Sequence, residues 1–572
     1  MIRSGFATVH MHWPLLPVIA AFAAAACCIV PVLAAVAISD DWVYTRSVEV
    51  LASEGRLWIS PIATAHLVFQ VLWAGLFAAV LTPAFDILGV VRLSTVALWS
   101  LSGIALYGLT WELTHHRALS ALAATAYLFN PLGYVLAFTF MTDAPFTAVF
   151  VIAAYCFVRG LRGEPQASWI VAGAVASAAG VLIRQPGLLI PAGVLTALLV
   201  SGRLGVNRAS VRFVIDAAAL PLLTYAVYYV WLTQINGVPV TQTLMRDQLL
   251  EGGWTGFVRH AQQLAVIEVT YSGLFVLPIA LAALPAARGM FRSLSWLGRA
   301  GVGLWMLLVA SGTGWIIMTG HRMPQIPHFL SRAGLGPNDL IAARAPVTNL
   351  SVLWAITALC ILAALIGGVL LIRALTARDT DRRGITVVLS LLAYQVVGVF
   401  VVSVHFRFWV IDSLSAPSLD RYLLPIMPLT IVAVAWALRD ARTSLPLGWA
   451  AVLLLGAFAV VGTRDNIAFH EAQWSLARAA NGAGIGNLHL DAGASWDGYY
   501  VGEYSYEVVG LPGPQNRPWW LQLFAPAIDP HYTIAMQPVP GNTVVMEQSA
   551  RLWLDPDARL YLLRRGDIPG PP

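Results

Sequence analysis

Thirteen apolar runs, each near the length of a membrane span, are joined by short connectors whose basic residues are all arginine. No other feature restricts the chain as much. A run of about 20 apolar residues in lipid must satisfy its backbone polar groups internally, and a helix does this within one segment. The runs are 14–38, 90–112, 118–138, 145–160, 168–182, 187–201, 213–233, 266–285, 301–319, 350–373, 384–404, 422–438 and 446–463. Hydrophobic residues make up 58% of the 572, and charged residues 11%, against about 25% in soluble domains. The sequence predicts an all-α polytopic membrane protein with about 13 transmembrane helices.

The formal net charge of +5 does not point to nucleic acid, because the arginines cluster in connectors between apolar runs. One set holds Arg117 with His115 and His116, then Arg159 and Arg162, then Arg203, Arg208 and Arg212. It continues with Arg288, Arg292 and Arg299, with Arg373, Arg378, Arg382 and Arg383, and with Arg439 and Arg442. These connectors fall on alternate sides of the span order, as a cytoplasmic set should. The expected orientation has the N-terminus cytoplasmic and the chain from residue 464 extracytoplasmic. The first run ends in Ala35-Val36-Ala37, which resembles a signal-peptidase site, but it is too long for a signal core of roughly 7–15 residues. It reads as an uncleaved span.

Residues 62–81 are apolar enough for a further span. A crossing there would move every later arginine cluster to the outer side. The segment is therefore expected within an outer-face excursion, residues 39–89, with one amphipathic helix and one helix at the interface. Tyr44, Val48 and Leu51 give the first of these its apolar stripe. The expected domains are a membrane-embedded catalytic domain, 1–463, and an extracytoplasmic C-terminal domain, 464–572, small and α/β or β-rich. Short strands are expected at Tyr532–Met536, Asn542–Glu547 and Arg559–Arg564. Cys27, Cys28, Cys156 and Cys360 all sit in apolar runs without metal-ligand spacing, so no disulfide framework is expected.

Two short outer connectors carry acids at the membrane edge: Asp40 and Asp41 in SDDWVY, and Asp143 in FMTDAPF. Ionisable groups at such positions are functional candidates. The plain alternatives are helix capping by Asp41 before Trp42 and by Asp143 before Pro145. Arg184 in VLIRQPGLL, Arg421 and Tyr422 in SLDRYLLPIMPL, and His405 and Arg407 in SVHFRFW fall on the outer side, against the positive-inside bias. An anionic partner would account for such arginines, since guanidinium suits phosphate oxygens. The plain alternatives are pairing of Arg421 with Asp420 and contact of Arg184 with lipid headgroups.

Taken in order, SDDWVY, HLVFQVLW, RLSTVALWSLSGIALYGLTWEL, TDAPF, LIRQPGLLIP and DRYLLPIMPL resemble the GT-C superfamily of integral-membrane glycosyltransferases. The similarity is to its protein-mannosyltransferase and aminoarabinose-transferase branch. It covers 14–463 in layout and is strongest over 36–200. The resemblance implies a polyprenyl-phosphate sugar donor, a glycan, lipid or protein acceptor and no nucleic acid. It gives Asp40 the role of catalytic base, with Asp41 as its neighbour and Asp143 as the second acid. Arg184, Arg421, Tyr422, His405 and Arg407 are the expected donor-phosphate set. The chain departs from the aminoarabinose branch at Thr64-Ala65-His66-Leu67, where Glu-Lys-Pro-Pro is expected. The resemblance singles out no cofactor; a divalent metal stays open, with His66 as its one candidate ligand. The implied location is a bacterial plasma membrane. A non-enzymatic flippase or transporter of lipid-linked sugars is the alternative, but it would favour charges near mid-bilayer and internal repeats.

Overall fold

The computed structural model describes residues 13–568, except 206, 252–253, 288–293, 342–343, 378–381, 406–417, 511–512 and 514–516. Each of the thirteen predicted runs carries a helix. By length and apolarity, eight helices among the described residues can cross a membrane, or nine if one bent pair counts as a single span. The bent pair is Arg117–Leu128 and Pro131–Ala137, which meet at 60°. The bend has a local cause. Asn130 caps the second helix by accepting from the Leu132 N–H, and Pro131 occupies its first turn. Leu15–Cys28, Ala167–Ile183, Gln185–Val200 and Ile426–Ala437 are apolar but shorter. Helices Ser210–Asn236 and Trp296–Thr319 keep mostly unburied apolar faces, as lipid-facing helices do.

The first predicted run differs from expectation. Its helix stops at Cys28, and residues 29–38 run without regular structure. Pro31 cannot continue the helix. The freed carbonyls are met by one buried side chain: Arg92 donates to Val32 (2.9 Å), Ala34 (3.0 Å) and Val36 (2.6 Å). Arg92 thus fixes the segment leading to Asp40.

Beyond it lie the helices Asp41–Glu54 and Val68–Leu81, packed on each other. The second, at 14 residues, is about 21 Å long, short of the ~30 Å hydrocarbon core. The first is closed by Gly55 in the left-handed conformation, φ 66°.

The last apolar run continues far past residue 463: one unbroken helix spans Leu445–Gly482. The C-terminal segment docks on it. Both Asp465 oxygens accept backbone N–H groups, from Trp553 (2.8 Å) and Leu554 (2.7 Å). A four-stranded sheet follows, built from β3 (Leu490–Asp491), β4 (Tyr532–Ala535), β5 (Asn542–Ser549) and β6 (Arg559–Arg565) in the order β3-β4-β6-β5. β3 runs parallel to β4, and the other pairs are antiparallel. The three expected strands are β4, β5 and β6. Two further short strands, β1 (Leu330–Ser331) and β2 (Gly334–Leu335), form a hairpin in the connector between helices Trp296–Thr319 and Leu350–Thr376.

Helix Ala494–Val508 lies against helix Asp41–Glu54, so the C-terminal region and the first connector share one face of the protein. Gly498 and Gly502 permit this. A Cβ at Gly498 would sit 2.2 Å from the Trp42 ring, and one at Gly502 2.4 Å from it.

Candidate active site

Ser39 turns the chain into the site. Its φ of 56° is uncommon for a residue with a side chain and costs on the order of 1–3 kcal/mol. The turn leaves Asp40 at the N-cap of helix Asp41–Glu54, yet its carboxylate makes no capping bond. Instead Asp40 Oδ1 accepts from Arg421 Nη1 at 3.0 Å. The two residues are 381 positions apart.

Asp41 has a different task. Its Oδ1 accepts the Ile38 N–H (2.8 Å) and its Oδ2 accepts the Phe140 N–H (3.2 Å). One oxygen thus fixes the turn of its own connector, and the other ties that connector to the one that holds Asp143.

Asp143 stands in the first turn of helix Asp143–Leu161 and pairs with Arg184. Arg184 ends helix Ala167–Ile183 in extended conformation, just before Pro186. Arg184 and Arg421 flank one ring: each guanidinium carbon is 5.4 Å from the Tyr422 centroid. Four connectors thus bring two acids, two arginines and a tyrosine into one buried cluster.

Asp420 is not the partner of Arg421. Its carboxylate accepts the backbone N–H groups of His328 (3.4 Å), Phe329 (3.1 Å) and Leu330 (2.6 Å). It therefore holds the connector between Trp296–Thr319 and Leu350–Thr376 over the site. That connector adds Asp339, buried, and His328, half-buried, each with one buried side-chain atom unpartnered, Asp339 Oδ2 and His328 Nδ1. The sequence reading missed them. The signal was the long connector between residues 320 and 349, which carries an acid and a histidine among its polar residues. Arg407 and the side chain of His405 lie outside the described residues.

The charges act on one another. Burial alone would raise the Asp40 pKa, but the Arg421 charge and its hydrogen bond outweigh that and hold the carboxyl below the usual range. Asp41 is pushed up to about 7 by burial, against the pull of Arg92. Burial also lifts Asp339 to about 7, and the charge of Asp40 adds to the rise. His328 is depressed to about 3 by burial and by Arg421, so it is neutral.

The acids do not fit a metal. Asp40 and Asp143 each face a guanidinium, and both Asp41 oxygens hold backbone N–H groups. The His66 side chain is otherwise engaged, with Nδ1 2.6 Å from the Val181 carbonyl and its ring 4.4 Å from that of Tyr228. Among the described residues no three His, Cys, Asp or Glu side chains converge as metal ligands would.

Residues 72–231 match the family described as dolichyl-phosphate-mannose-protein mannosyltransferase. No curated protein matches. Among solved structures, the archaeal oligosaccharyltransferase AglB from Archaeoglobus fulgidus, in complex with an inhibitory peptide and a dolichol-phosphate, is 14% identical with a TM-score of 0.40. The alignment covers 81% of this chain and 56% of that one, so the chain spans little more than half of that relative. ArnT from Cupriavidus metallidurans in the apo state is 16% identical, with a TM-score of 0.35 over the full length of both chains. The arabinosyltransferase EmbB from Mycobacterium smegmatis is 12% identical, with a TM-score of 0.30, covering 82% of this chain and 42% of that one. Superpositions this loose transfer no residue role. The family match takes in Arg92, Asp143 and Arg184 and leaves Asp40 and Arg421 outside it. Over residues 72–231, less than half of its length, the chain is similar to the family of dolichyl-phosphate-mannose-protein mannosyltransferases.

Proposed function

We propose that the protein transfers a sugar from a polyprenyl-phosphate donor to an acceptor hydroxyl at the outer membrane face, with inversion at the anomeric carbon. The observation that carries this reading is the paired arrangement Asp40–Arg421 and Asp143–Arg184 around Tyr422. One carboxylate and one guanidinium in contact can serve the two ends of a displacement, the attacking hydroxyl and the departing phosphate.

The acceptor oxygen attacks the anomeric carbon from the face opposite the phosphate. The bond from that carbon to the phosphate oxygen breaks, and the polyprenyl phosphate departs with the electron pair. Asp40 takes the acceptor proton within the same transition state, since a hydroxyl is too weak an acid to ionise beforehand. Charge grows on the phosphate oxygens, where Arg421 and Arg184 stabilise it. Asp143 orients the acceptor or the base.

Donor-free Asp40 is a poor base, because Arg421 holds it as a carboxylate of low pKa. An arriving donor phosphate competes for Arg421. Each guanidinium contact it gains weakens the hold on Asp40 and raises its basicity. The donor itself thus readies the base. The cytoplasmic N-terminus, the extracytoplasmic C-terminal domain and the bacterial plasma membrane belong to this same reading.

The test is consumption of a labelled polyprenyl-phosphate sugar by purified protein, wild type against Asp40→Asn. Removal of a general base lowers turnover by about 10²–10⁴-fold. Equal turnover in the two proteins rules out Asp40 as the base. No consumption of any such donor by wild type rules out the transferase reading and leaves non-enzymatic handling of lipid-linked sugars.

A further inference from the structure

A cavity outside the proposed mechanism lies between two helices. Trp42, Arg46 and Glu49 recur at i, i+4 and i+7 on helix Asp41–Glu54, so they share a face. Tyr500, Glu503, Tyr504 and Glu507 recur at i, i+3, i+4 and i+7 on helix Ala494–Val508. The two faces, with Tyr499, line a cavity of about 430 Å³. Small-molecule sites run from roughly 300 to 1,000 Å³. Gly498 and Gly502 set the helices close enough to form it, and Trp42 stands in its wall two residues from Asp40.

The chemistry of the walls is specific. Tyr500 and Tyr504 are 45% and 48% exposed, and the Tyr500 ring rests on that of Trp496, 4.2 Å between centroids. Trp42 is 2% exposed, yet its Nε1 donor has no hydrogen-bond partner. Buried donors are normally paired. Arg46 is already engaged, with Glu49 at 2.8 Å and Glu503 at 3.1 Å, and Tyr499 donates to Glu49 at 2.8 Å. Three glutamates against one arginine leave the lining at a formal charge of −2. An acidic lining repels phosphorylated ligands. Aromatic faces receive the C–H face of a sugar ring, and carboxylates accept from pairs of sugar hydroxyls.

We propose that this cleft between helices Asp41–Glu54 and Ala494–Val508 binds a neutral saccharide, the acceptor of the transfer, and feeds its hydroxyl toward Asp40. The acceptor role rests on the transferase reading; saccharide binding does not.

Saturation-transfer NMR on the purified full-length protein tests it, with neutral manno-, gluco- and arabino-trisaccharides as probes and a serine/threonine peptide as comparison. We expect saturation of the C–H protons of at least one trisaccharide, reduced at least fivefold in Tyr504→Ala and in Glu507→Gln. Both side chains lie at the exposed rim, so the unfolding midpoint should stay at the wild-type value. No transfer to any trisaccharide, transfer unchanged in both variants, or transfer to the peptide instead overturns the proposal. Donor consumption measured alongside separates the two readings. With Tyr504→Ala we expect a raised KM for acceptor and an unaltered KM for donor. Saccharide binding by a protein that never consumes donor sinks the transferase reading and upholds the cleft.

Discussion

Arg421 Nη1 lies 3.0 Å from Asp40 Oδ1, while Asp420, its neighbour in sequence, turns away to hold the backbone of residues 328–330. The ion pair is largely buried, with side-chain exposures of 10% and 13%. Breaking such a pair by removing one partner costs about 3–5 kcal/mol, because the other charge is left without compensation.

That cost alters what arginine variants will do. Arg421→Ala should lower both stability and donor use. Adding Asp40→Asn to Arg421→Ala should restore much of the stability and none of the turnover. Thermal unfolding and donor kinetics on the two single variants and the double variant would decide. If the double variant is as unstable as the sum of the singles, the pair contributes nothing specific to the fold.

The pH dependence follows from the same contact. The folded-state pKa of Asp40 lies below its unfolded value, so its contribution to stability is complete above the usual carboxylate range. It is lost as pH falls through the depressed value. Activity should add a second signature. The kcat/KM profile for donor reports the free protein, and kcat reports the bound complex. If donor phosphate takes Arg421 from Asp40, the acid limb of kcat must lie at higher pH than that of kcat/KM. Coincident limbs would mean that Arg421 stays on Asp40 throughout.

Replacement of Arg184 by lysine keeps the charge and loses the planar fork. Weaker donor use in Arg184→Lys, measured as a raised donor KM in folded protein, is the expected result. Wild-type kinetics would reduce Arg184 to an anchor for Asp143.

Arg92 should act without touching substrate. Arg92→Met removes three bonds to the carbonyls of Val32, Ala34 and Val36, and so loosens the segment that aims Asp40. Burying those carbonyls unpaired costs roughly 1–3 kcal/mol each. A fall in kcat with donor binding retained is the expected pattern. Lost donor binding with an unchanged kcat would place Arg92 elsewhere in the scheme.

Orientation can be read with single cysteines in a background free of Cys27, Cys28, Cys156 and Cys360. Positions 54 and 500 are exposed on the face that carries the candidate site, and position 117 is exposed at the far end of helix Ile87–Thr114. An impermeant thiol reagent applied from outside should label 54 and 500 and spare 117. The reverse pattern would put the site on the cytoplasmic side and remove the proposed donor geometry.

The sequence alone determined the helical membrane architecture, because an apolar run near span length has few solutions in lipid. It also determined the three C-terminal strands, and it marked Asp40, Asp143, Arg184 and Arg421 as candidates, since charges at span ends stand out against an apolar background. It could not give their pairing. Asp420 adjoins Arg421 in sequence, but successive residues on a tight turn point apart, and only packing brought residue 40 to residue 421. The division of labour between Asp40 and Asp41 was likewise hidden, because it depends on a backbone N–H of Phe140, 99 positions away. Arg92 passed as one polar residue in an apolar helix until the carbonyls freed by Pro31 came to rest on it. Local rules decide which groups are charged and which segments are helices; which charges meet is decided by burial, where an unpaired ion is too costly to leave alone.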